Sequence, residues 1–140
     1  MNQARLRSTL KRHEGEVRSP YKDSLGIWTA GIGRNLSKGF SVDEVDLMFA
    51  NDIQEAIHSL WILYPDIMEN LTSVRQEILV NMTFNLGESR LAGFKRMWAA
   101  LSQGDFYAAS EEMLDSLWAR QVGSRAVELS EAMRKGAWKS

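Results

Sequence analysis

Cysteine is missing from all 140 residues, which removes disulfides, zinc–thiolate centres and cysteine nucleophiles together. Histidine occurs twice, as His13 and His58, too few for a His-rich metal cage. The pair His13-Glu14 opens like a zinc helix motif, but Val17 stands where the second histidine ligand is needed. No metal site is expected. Proline also occurs only twice, at Pro20 and Pro65. No apolar run approaches the roughly 18 residues of a membrane span, so stable membrane insertion is not expected. The basic N-terminus lacks the apolar stretch of a secretory signal. What is present is ordinary for one globular domain: 44% hydrophobic and 25% charged residues, enough to build a core.

The net charge of −1 argues against a general nucleic-acid binder. Its distribution is uneven. Residues 1–40 hold eight Lys/Arg against three Asp/Glu, whereas residues 41–80 hold one against eight. Two readings fit: oppositely charged segments that pack together, or a basic entrance that steers an anionic polymer.

Hydrophobic periodicity divides the chain. Leu6 and Leu10 stand one helical turn apart, in a first helix over residues 3–13 that stops before Gly15. Residues 17–35 read as β structure, with Tyr21, Ile27, Trp28, Thr29 and Ile32 set among Pro20, Gly26, Gly31 and Gly33. Asp23 to Gly26 reads as the turn of a hairpin. Ser41 and Glu44 form a capping box, after which a long helix runs to the Tyr64-Pro65 step. Further helices open at Thr72 or Ser73, near Phe94, after Asp105 and at Ser124, with Gly87, Gly104 and Gly136 as stops. The predicted fold class is α+β, mainly α. It comprises one 140-residue domain with a small β-hairpin lobe (approximately 15–62, including the linking helix) and a helical lobe (63–140 with helix 3–13).

The residues left for chemistry are carboxylates. Glu14 ends the first helix, at the negative end of the helix dipole, which favours the neutral carboxyl that a general acid requires. Asp23 lies nine residues on, at the hairpin turn, and Thr29 on the returning strand offers a hydroxyl to a water. An acid, an ionised carboxylate and a water-positioning hydroxyl are the parts of an inverting glycosidase. Taken alone, two acidic residues nine apart occur widely, and solvated surface carboxylates are the simpler reading of them.

The string that contains them is distinctive. Glu14-Gly15, Tyr21-Lys22-Asp23 and the run from Gly26 through Trp28, Thr29 and Gly31 to Gly33 resemble the N-terminal signature of phage-type lysozymes, the T-even phage endolysin family of muramidases. Phe84-Asn85-Leu86-Gly87, Leu91-Ala92-Gly93-Phe94, Trp118, Ser124-Arg125-Ala126 and Gly136-Ala137-Trp138 are similar to later segments of that family, in the same order. The resemblance implies a lysozyme-like fold with a saccharide cleft between its lobes. It implies Glu14 as the acid that protonates the glycosidic oxygen, Asp23 as the second carboxylate and Thr29 as the water holder. Asn35 and Phe84 match substrate-contact positions, although Phe84 reads equally well as a core aromatic. Trp118, Asn85 and Arg125 match supporting positions.

The implied activity is hydrolysis of the β-1,4 bond between N-acetylmuramic acid and N-acetylglucosamine in peptidoglycan, by inversion and without a cofactor, for host-cell lysis. The expected protein is a monomer that accumulates in the bacterial cytoplasm, reaches the periplasmic wall through a separate membrane pore protein, and binds no nucleic acid. The alternative is an inactive lysozyme-like wall-binding or structural module. Two departures stand out. Arg34 replaces the histidine the family often carries after the Gly-x-Gly, and an Arg34–Asp52 pair is the expected substitute. The segment from Asn35 to Ser41 is also shorter than in the best-known members.

Overall fold

The Asn2 side chain accepts the Arg5 N–H at 3.0 Å and so starts helix α1, Gln3–Glu14. The computed structural model describes all 140 residues, Met1–Ser140. Gly15 closes α1 at φ 74°, its N–H donating to the Lys11 carbonyl at 2.9 Å. Three antiparallel strands follow in sequence order: β1 (Val17–Lys22), β2 (Trp28–Gly31) and β3 (Arg34–Asn35). Their register pairs Tyr21 with Thr29 and Thr29 with Asn35, with an irregularity in β1 between Val17 and Tyr21, the stretch that contains Pro20. Proline cannot donate to a ladder, so a break there follows from its missing N–H. The expected hairpin is thus a three-stranded meander. The third strand has two residues, too few to show an alternating pattern.

A 3₁₀ turn at Leu36–Lys38 leads to helix α2, Val42–Leu63. The capping box forms as expected: the Ser41 hydroxyl accepts the Glu44 N–H at 3.2 Å, and the Glu44 carboxylate accepts the Ser41 N–H at 2.9 Å. After α2 come α3 (Pro65–Asn70), α4 (Ser73–Leu86), α5 (Glu88–Ala92), α6 (Lys95–Ser102), α7 (Phe106–Leu114), α8 (Leu117–Val122) and α9 (Ser124–Lys135). Pro65 ends one helix and also occupies the first turn of the next, where its absent N–H costs nothing. The Asp105 side chain caps α7 by accepting the Ala108 N–H at 3.0 Å. Gly136 ends α9 in the left-handed region, whereas Gly87 has positive φ with an extended ψ of 162°.

The chain divides into two compact units, Met1–Leu47 and Met48–Ser140. The two units meet within α2, and α1 falls in the same unit as the sheet.

In the second unit the core gathers around Leu60, Ile78, Leu79, Leu91 and Leu129, with five of the seven methionines buried among them. Methionine fills irregular gaps between short helices because its unbranched chain adapts. Tyr64 stacks on Trp98 with ring centroids 3.7 Å apart, and the Trp98 indole donates to the Leu91 carbonyl at 2.9 Å. Arg75 on α4 reaches the end of α9. Its Nε donates to the Met133 carbonyl at 2.7 Å and Nη2 to the Arg134 carbonyl at 3.1 Å, while its guanidinium lies 3.5 Å from the Phe106 ring centroid. A cation at a helix C-terminus satisfies free carbonyls and complements the dipole.

Candidate functional site

The first unit carries Glu14, Asp23, Thr29 and Asn35 on one helix end and one small sheet. The turn after β1 closes with the Asp23 N–H on the Ile27 carbonyl at 2.9 Å and the Gly26 N–H on the Asp23 carbonyl at 3.0 Å. Gly26 takes φ 78°, which a side chain would oppose. The half-buried Asp23 carboxylate turns inward over this loop. Its Oδ1 accepts the Leu25 N–H at 2.8 Å and the Ile27 N–H at 2.9 Å, which leaves Oδ2 for another partner.

Thr29 is the one residue of the sheet that is buried, at 5% exposure. Strand alternation places it on the face opposite its exposed neighbour Trp28. Its hydroxyl donates to the Ile27 carbonyl at 2.9 Å. Asp23 and Thr29 are therefore both tied to Ile27, one through its N–H and the other through its C=O. With its proton committed, the Thr29 oxygen keeps lone pairs that can accept a hydrogen from water.

Glu14 is the last residue of α1, and its carboxyl lies against Gly33 in the turn between β2 and β3. That contact spans nineteen residues of sequence, and no periodic pattern announces it. The chemistry open to these groups is acid–base: two carboxyl groups, one on a helix end and one clamped by backbone N–H groups, with a hydroxyl anchored to the same Ile27 backbone as the second.

Asn35 pairs with Thr29 across the sheet, and its amide oxygen accepts from the Ser37 N–H at 2.9 Å, starting the 3₁₀ turn. The oxygen is thus committed to a cap, and the amide N–H₂ remains for a ligand. Arg34, next to it, does not take the expected partner. It forms a two-pronged ion pair with Glu44, donating from Nη1 and Nη2 to the two carboxylate oxygens. The Arg34 guanidinium and the Ser41 N–H and hydroxyl group hold the Glu44 carboxyl down at about 2, and Glu44 in turn raises Arg34. The reason lies in the capping box. A capping glutamate folds back over the start of its own helix, which the short segment from Asn35 to Ser41 brings near Arg34. Ser41 and Glu44 were the available signal for this pairing. Asp52 belongs to the second unit, where it lines a small cavity with Glu55, Ser59 and Glu88.

Within the second unit, Phe84 packs edge-on against Phe49 with centroids 5.9 Å apart and is 43% exposed. Both line an apolar cavity of about 460 Å³ with Ile53, Ile57 and Trp61. The buried Trp118 indole donates to the Asn85 side-chain oxygen at 2.6 Å. Arg125 donates to the Asn81 side-chain oxygen at 3.0 and 2.7 Å.

Comparison with known proteins places the chain in a family. The chain is 26% identical to probable T4-type lysozyme 2 of Dictyostelium discoideum, covering 96% of both chains. It is 24% identical to probable T4-type lysozyme 1 of the same organism, covering 94% of both. It is 27% identical to the pre-baseplate central spike protein Gp5 of Enterobacteria phage T4, over 84% of this chain but 25% of that protein. The phage lysozyme family pattern matches residues 11–135, and the chain belongs to that family.

Proposed function

We propose that the chain is a lysozyme-type glycoside hydrolase that cuts the β-1,4 bond between N-acetylmuramic acid and N-acetylglucosamine by inversion. The observation that carries the reading is that Asp23 and Thr29 both hydrogen-bond to the backbone of Ile27, which anchors a carboxylate and a hydroxyl to one residue. In this mechanism Glu14 gives its proton to the glycosidic oxygen as the bond to the anomeric carbon breaks. A water held by the Thr29 oxygen attacks that carbon from the opposite face, and Asp23 Oδ2 takes the proton the water releases. An inverting site needs room for that water, so its carboxyls stand roughly 6.5–9.5 Å apart, against roughly 5–5.5 Å for direct attack. Asn35, through its free amide N–H₂, and Phe84, through its half-exposed ring, are proposed saccharide contacts.

Two measurements test this. Glu14→Gln should lose at least the roughly 10²–10⁴-fold of acid catalysis in clearing a wall suspension while keeping its melting temperature. Near-wild-type clearing by that variant would overturn the assignment. Proton NMR of the first product from a defined peptidoglycan oligomer should show the α-anomer, and an initial β-anomer would make Asp23 a nucleophile.

Host-cell lysis is the proposed biological setting, with a monomeric enzyme held in the cytoplasm until a separate membrane pore protein admits it to the periplasmic wall. The similarity to a spike protein favours a second reading, a lysozyme-like structural module. A wall suspension left uncleared by the unmodified chain would select it.

A further inference from the structure

Two glycines flank Ile32 in the turn between β2 and β3, and their backbones are nearly alike: φ is 66° at Gly31 and 68° at Gly33. Left-handed backbone alone would favour glycine equally at both. Their surroundings differ. A methyl group built on Gly31 meets nothing within 4 Å. One built on Gly33 lies 2.7 Å from Glu14 Oε2, 3.0 Å from its Cδ and 3.4 Å from its Cγ. Non-bonded heavy atoms settle at about 3.5–4.0 Å, so a side chain at Gly33 would make the end of the Glu14 side chain shift. We propose that Gly33 is a positioning residue for the acid: its bare Cα is the seat against which the Glu14 carboxyl is placed for proton transfer.

The inference rests on the reading of Glu14 as general acid, and it specifies how the clash would resolve. Glu14 is an exposed side chain at a helix end, whose carboxyl can yield by rotation, whereas Gly33 is fixed in the turn between two strands. A methyl at Gly33 therefore displaces the carboxyl rather than the backbone. A misplacement of about 1 Å at a reacting group can cost about 10²-fold in rate. The damage falls on turnover, since substrate binding does not use this contact.

Gly31→Ala is the matched control, because it carries the same backbone strain without touching Glu14. Both single variants of the full chain would be compared by thermal melting and by kcat and KM on a soluble peptidoglycan oligomer. The expected result is a similar drop in Tm for both. Gly33→Ala should lose about 10- to 100-fold in kcat with KM within twofold, and Gly31→Ala should keep kcat within about threefold. Equal losses of kcat, or an unchanged kcat in Gly33→Ala, would overturn the proposal. If the alanine variants melt below the assay temperature, the asparagine pair carries the same comparison, because asparagine accepts positive φ more readily. Glu14→Gln measured alongside separates the two claims. Activity retained there removes the acid itself, whereas activity lost there with Gly31→Ala and Gly33→Ala indistinguishable removes only the seat.

Discussion

Arg34 and Glu44 meet as a fork on a carboxylate, two parallel N–H···O contacts that join the strand before the 3₁₀ turn to the first turn of α2. The same glutamate closes the capping box, so one side chain serves a helix start and a strand end. Because the folded protein holds Glu44 at about 2, below its ordinary 4.5, the stabilisation is complete above pH about 4.5 and is lost as pH falls through about 2. Glutamine keeps the cap geometry but not the charge. The Tm difference between wild type and Glu44→Gln should therefore be flat from about pH 5 to 9 and shrink between about 4.5 and 2. A difference that persists undiminished in acid would show that the charge is not what matters.

Asp23 does two things that a pair of substitutions separates. Its Oδ1 accepts two backbone N–H groups, which an asparagine oxygen can also accept, whereas the negative charge cannot be replaced by an amide. Asp23→Asn should keep the melting temperature within about 2 °C and lose about 10²-fold or more of activity. Asp23→Ala should lose both, with about 0.5–1.5 kcal/mol of stability from the lost hydrogen bonds to the Leu25 and Ile27 N–H groups. An active Asp23→Asn enzyme would remove Asp23 from the mechanism.

Thr29 lends itself to an isosteric test. Thr29→Val keeps the buried volume and removes the hydroxyl, and Thr29→Ser keeps the hydroxyl. Wall hydrolysis should fall more than about tenfold for valine and stay within a few-fold of wild type for serine, because one positioned hydrogen bond is at stake. Equal activity of the two would make the Thr29 hydroxyl merely structural.

The Trp118–Asn85 hydrogen bond supports the second unit. Asn85→Ala leaves a buried indole N–H without its partner, which should cost about 1–3 kcal/mol in urea unfolding. Asn85→Gln, one methylene longer, should recover only part of it. A neutral Asn85→Ala would show that water takes the place of the amide.

How far sequence alone reaches can be judged from single residues. Ser41 and Glu44 announced the α2 start because a capping box is local, four residues that satisfy one another. Glu14, Asp23 and Thr29 were found through a contiguous string, and the hydrogen bonds to Ile27 that hold two of them are equally local. The partner of Arg34 was missed because a resemblance that supplies Asp52 as a partner position does not see a glutamate folded back by its own cap. Helices α3, α5 and α8 span five or six residues, less than two turns, and leave no periodic stripe to read. The seat at Gly33 is legible only in three dimensions, since a glycine needed for its conformation and one needed for its emptiness look the same in a sequence.

The grip of Arg75 on the end of α9 also sets a schedule for biosynthesis. Its partner Met133 is 58 residues downstream, and Leu129, Ala132 and Met133 belong to the same core as Ile78 and Leu79. At the roughly 5–20 residues per second of translation, α4 waits about 3–12 s before the helix that completes its core has been made. Through that interval α4 lacks the part of its cover that α9 supplies. The contacts between α4 and α9 therefore form only after Met133, the last residue of this core in chain order, has been made.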